Sequence, residues 1–73
     1  MERNEKSLRR FGQLLTGLRE KKNLSIRELA LRSGLDVRQL ARIEAGGVNI
    51  QFTTILALAR GLGITPEELL ESL

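Results

Sequence analysis

No cysteine occurs among the 73 residues, and no histidine, tyrosine or tryptophan. Without cysteine there is no disulfide to staple a small domain and no thiolate metal site. Without histidine as well, a zinc site would need carboxylates alone, which runs against the usual ligand chemistry of that ion. The commonest nucleophiles and general bases are missing too, and no glycine-rich phosphate loop sits in a strand-to-helix setting. No apolar run approaches the ~20 residues of a membrane span. The first ten residues, MERNEKSLRR, lack the apolar stretch of a signal peptide. These absences predict a cytoplasmic protein that is not an enzyme, holds no metal or cofactor and does not enter a membrane. Pro66 is the only proline, and no segment alternates as a strand does, so the expected class is all-α.

What is present is uneven in charge. Residues 1–44 carry eleven Lys/Arg against six Asp/Glu, or +5, and residues 45–73 carry one against three, or −2. A basic half suits a polyanionic partner, with a merely solvated helical surface as the plain alternative. Glu67, Glu68 and Glu71 read as a helix cap and a surface run rather than as paired catalytic carboxylates.

Five short helices follow from the pattern, in one domain spanning 1–73. Leu8, Phe11, Leu15 and Leu18 form one apolar stripe on a first helix, which starts near Asn4 or Ser7 and ends by Lys22. Gly12 and Gly17 lie inside it at a cost of about 1 kcal/mol each against alanine, which predicts close packing of a neighbour on them. Ser25 and Glu28 form a capping box for a second helix that turns Leu29 and Ala30 inward and stops at Gly34. Asp36 caps a third helix, with Gln39 completing a second box and Leu35 and Leu40 forming a hydrophobic staple. That helix runs to Ala45, and Gly46 makes the left-handed turn after it. A loop, GGVNI, leads to a fourth helix from Gln51 or Thr53. It buries Ile55, Leu56, Leu58, Ala59 and Leu62 and ends at Gly63. Thr65, Pro66 and Glu68 open the fifth helix with proline at its first position.

The stretch 25–46, SIRELALRSGLDVRQLARIEAG, carries the most information. Two short helices joined by a tight glycine-containing turn are the sequence form of a helix-turn-helix. Ala30 permits close approach, Gly34 permits a positive φ, and Leu29, Leu35, Leu40 and Ile43 fill the seam. On a wheel with Leu40 at zero, Ile43 falls at about −60° and Glu44 at about 40°, so that face points inward. Arg38, Arg42 and Ala45 lie opposite, flanked by Gln39 and Ala41. This is suitable chemistry for a major groove: arginine donates twice to guanine, glutamine pairs with adenine, and alanine lets the helix sit close. Val37, at the helix start, is placed to touch a thymine methyl. The plain alternatives are that Arg38 and Arg42 are solvated, that Val37 is partly core, and that Gln39 is spent on its own cap.

The pieces FGQLLTGLREKKNLS, IRELALRSGLDVRQLARIEAG and ILALARGLGITPEELL together resemble the lambda-repressor-like, or XRE-family, helix-turn-helix domains. The resemblance runs from about residue 11 to residue 70. It implies five helices, with the third in the major groove, and dimers that bind operator DNA to repress or otherwise regulate transcription. It also implies a structural ion pair between Arg19 and Glu44, with Arg19 a further candidate for a phosphate. Two positions depart from the family pattern. Ile26 stands where a glutamine often meets the DNA backbone, and Ile50 stands where the loop often holds a proline.

The function expected is therefore sequence-specific double-stranded DNA binding by a transcriptional regulator, a repressor by family habit. Base contacts are assigned to Val37, Arg38, Gln39 and Arg42. Phosphate contacts are assigned to Ser25, Arg27, Arg19, Val48 and Asn49. A homodimer is expected because one such unit reads only a half-site. Its candidate face is Leu69, Leu70 and Leu73, against the alternative that these leucines pack inward. The competing function is a protein-interaction module or antitoxin-type subunit with a protein partner, which an exposed Ile26 and the leucine-rich end would suit.

Overall fold

A computed structural model describes residues 4–71. Its elements in chain order are α1 (Glu5–Lys21), α2 (Ile26–Ser33), α3 (Val37–Glu44), α4 (Phe52–Leu62) and α5 (Pro66–Glu71). The described residues contain no strand, and no helix is long and apolar enough to cross a membrane.

The starts and stops follow local chemistry. The Asn4 side chain accepts from Ser7 N–H at 3.0 Å and opens α1. Ser25 and Glu28 form the reciprocal box at α2, and Thr65 and Glu68 form one at α5. Asp36 accepts from Arg38 N–H at 2.7 Å, two residues on, and Gln39 does not complete a box as expected. The Gln39 amide is thereby left to the solvent face. Gly34, Gly46 and Gly63 are all left-handed after helices, where a Cβ would be strained.

The stripe on α1 meets the third helix, α2 packs on both α3 and α4, and α5 closes on α4. Leu15, Leu29, Leu40, Ile43, Leu58 and Leu69 are wholly buried at the centre. Each such side chain contributes about 1.5–3 kcal/mol relative to exposure.

Four expectations are corrected. Leu56 is not core: it is 37% exposed on the outer side of α4, beyond the contact with α2. Ile26 is not an exposed patch, because its side chain is half-buried against the core. Gly17 has no neighbour within 4 Å of where a Cβ would sit, so close packing does not explain it. Leu69 is 0% exposed, so it serves the monomer's own core rather than an outer face. Leu70 is 38% exposed, and Leu73 lies outside the described residues.

Candidate nucleic-acid interface

The unit 25–46 is built around the turn between α2 and α3. Gly34 there has φ 69°, and Leu35 N–H reaches back to the Ala30 carbonyl at 2.9 Å. Leu35 packs on the core beside the start of α3. The wheel of α3 is observed as drawn. Leu40 and Ile43 are buried, while Val37, Arg38, Gln39, Ala41, Arg42 and Ala45 are exposed. One helix face therefore offers two guanidinium groups and one amide with no carboxylate among them.

The orientation of α3 is set by α1. Gly12 lies so close to the last turn of α3 that a Cβ would collide with the Glu44 carbonyl and stand 2.7 Å from the Ile43 carbonyl. Glu44 then turns its side chain back onto α1. Arg19 Nε donates to Glu44 Oε2 at 2.8 Å, and a terminal nitrogen donates to Oε1 at 3.1 Å. The Thr16 hydroxyl donates to the same Oε1 at 2.8 Å, with the Gly12 carbonyl also in reach at 2.9 Å. The hydrogen bond to Glu44 holds the Arg19 pKa above its ordinary value, against a smaller desolvation effect.

The remaining terminal nitrogen of Arg19 donates to the Leu24 carbonyl at 3.0 Å. All three nitrogens are engaged, but only three of the five N–H donors are spent, and the side chain stays 14% exposed. Its position also matters for the other residues assigned to phosphates. Leu24 precedes Ser25, and Glu44 lies two residues before Gly46. One guanidinium thus ties the start of α2 to the end of α3.

The assigned phosphate contacts fall on those two segments. Ser25 and Arg27 are exposed at the start of α2. There the hydrogen bond from Ser25 N–H holds the Glu28 carboxyl below its ordinary pKa. Asn49 is exposed on the following loop, whereas Val48 packs its side chain on the core and leaves only its backbone available. An open groove of about 280 Å³ runs between α3, this loop and the start of α4, with Gln39, Arg42, Asn49, Gln51 and Thr54 around an apolar floor. Gln51 makes no side-chain cap on α4.

Sequence reasoning missed the groove and the part played by Thr16. The spacing of Gly12, Thr16 and Arg19 held the second signal, since these three share one face of α1. Exposed Phe52 was also missed: it falls at the boundary of the fourth helix, outside the apolar stripe that periodicity picks out. Among the described residues no cluster of acidic side chains is placed to hold a metal ion.

The helix-turn-helix family HTH_3 matches residues 17–69. The chain belongs to that family. Among solved structures it is similar to the restriction-modification controller protein C.AhdI from Aeromonas hydrophila. The identity is 44% and the TM-score 0.83, over 86% of this chain and 96% of that one. The wild-type restriction-modification controller protein C.Esp1396I shares the fold at 21% identity and a TM-score of 0.84, over 97% of this chain and 90% of that one. ComR from Streptococcus suis matches at 36% identity and a TM-score of 0.77, over 85% of this chain but only 20% of its own length. No curated protein sequence matches the chain.

Proposed function

We propose that this helix-turn-helix protein is a cytoplasmic, sequence-specific regulator of transcription that binds double-stranded DNA as a homodimer, and that it represses. The observation that carries this is the outward face of α3, where Arg38, Gln39 and Arg42 stand exposed with Ala41 and Ala45 between them. Arg38 and Val37, nearest the helix start, reach deepest into the major groove, and Gln39 and Arg42 read the adjoining base edges. Ser25, Arg27, Asn49 and the backbone at Val48 hold the phosphates and set the register. By its likeness to C.AhdI, the genes it controls are those of a restriction–modification system.

Dimerisation is supported by the outer side of α4 and α5. Phe52 is 64% exposed, and Leu56 and Leu70 are each more than a third exposed, so these take the place first given to Leu69. The competing protein-interaction reading loses its main support now that Ile26 packs inward.

Selection of bound duplexes from a random library, at near-physiological salt, tests the proposal. A two-fold symmetric motif with half-sites about one helical turn, ~34 Å, apart is expected. Arg38→Ala weakens binding by about 1–3 kcal/mol and relaxes one base position. Unchanged binding by both Arg38→Ala and Arg42→Ala would remove α3 as the reading helix.

A further inference from the structure

Gly46 is buried and left-handed, and it lies directly against α1. A Cβ on it would stand 2.7 Å from the Arg9 Cα and 2.8 Å from the Arg9 Cγ. The first turns of α1 are thereby pressed against the segment that leaves the reading helix. Those turns carry Lys6, Arg9 and Arg10, all exposed. Among the described residues no carboxylate pairs with any of the three. On a helical wheel they fall within about 100° of one another, so they share one side of α1. Glu5 is the only acidic residue from 4 to 13, which leaves that span at +2.

Exposed basic residues alone mean little on a protein surface. Their placement gives these three a meaning. Arg9 adjoins Gly46, at the head of the loop that carries Asn49, and Lys6 and Arg10 share its side of α1, so a second helix brings positive charge to the end of α3. We propose that Lys6, Arg9 and Arg10 form a second backbone-binding patch, which takes DNA phosphates outside the base pairs that α3 reads. This rests on the DNA-binding function proposed above. The patch has no means of telling one base from another. It contributes by displacing counterions, and so strengthens binding to any duplex equally.

The test measures affinity against salt concentration for the unmodified protein and variants. The probes are a mixed-sequence duplex and a duplex recovered by the library selection. Arg9→Gln is expected to reduce the magnitude of the log–log slope by about 0.9 per protomer, and Lys6→Gln/Arg9→Gln/Arg10→Gln by about 2–3. Both duplexes lose affinity by the same factor, the selected motif stays the same, and Arg9→Lys keeps the original slope. Melting curves of the variants should overlay that of the unmodified protein. A triple variant with the original slope and affinity overturns the patch while leaving the reading helix intact. So does a loss of affinity with no change in slope, which marks a disturbed fold. If the unmodified protein binds neither duplex, the DNA-binding function itself fails and the patch fails with it.

Discussion

Two helix pairs are each pinned by a glycine, yet the seams are built differently. Where α1 meets α3, Gly12 lies against backbone carbonyls, and a polar network of Arg19, Thr16 and Glu44 covers the contact. Where α2 meets α4, Gly61 lies against side chains: a Cβ there would collide with the Ser33 hydroxyl and stand 3.2 Å from Leu29 Cδ1. That seam is otherwise apolar, and the Ser33 hydroxyl is buried without a hydrogen-bond partner. The first arrangement fixes direction, because the two-pronged pairing of the Arg19 guanidinium with the Glu44 carboxylate imposes a specific geometry. The second supplies adhesion, because apolar burial has none. The reading helix is held by the directional seam.

Substitutions should separate the two seams. Gly12→Ala has the largest expected effect. Its Cβ meets backbone that cannot swing aside, so α3 must shift, at about 3 kcal/mol of stability in chemical denaturation. DNA affinity should fall with it. Glu44→Ala comes next, at about 2–3 kcal/mol, because it strands the Arg19 charge at a site only partly open to water. Arg19→Met added to Glu44→Ala should recover much of that loss, measured by thermal melting.

Gly61→Ala is gentler, at about 1–2 kcal/mol, since the Ser33 hydroxyl can rotate away. In a Ser33→Ala background its cost should shrink, and a double-mutant cycle measures the coupling. Equal costs in both backgrounds would mean that Leu29, not Ser33, sets the spacing. Ser33→Ala alone should raise stability by about 1 kcal/mol, because it removes an unpaired buried hydroxyl from a helix. Gly17→Ala is the smallest, a gain of about 0.5–1 kcal/mol from helix propensity, with no neighbour to disturb.

Features fixed by local chemistry were legible in the sequence. The boxes at Ser25 and Thr65, the turn at Gly34 and the inward face of Leu40 and Ile43 each depend on residues within a turn or two of one another. Features set by long-range packing were not. Gly12 and Gly17 are identical in sequence terms, and only the approach of α3 distinguishes them. Leu56 and Leu58 are equally apolar, and the position of α2 decides which is covered. Leu69 and Leu70 are equally apolar neighbours, and only the way α5 closes on α4 decides that Leu69 is spent on the core. On α3, periodicity located the exposed face, since one helix carries all of it. The groove and the Arg9 contact with Gly46 join segments far apart in the chain, so no local pattern announced them.

Arg19 acts as a caliper for this protein. Its two jaws are the Leu24 carbonyl and the Glu44 carboxylate, and the opening between them sets how far the start of α2 stands from the loop beyond α3. In the proposed binding mode the start of α2 and that loop take phosphates, which a duplex offers at fixed intervals, so the jaw width sets the fit before any base is read. Lysine at this position would keep the charge but not the two-sided grip. Such a protein would hold its preferred sequence and lose its gauge, gripping every duplex less well by the same factor.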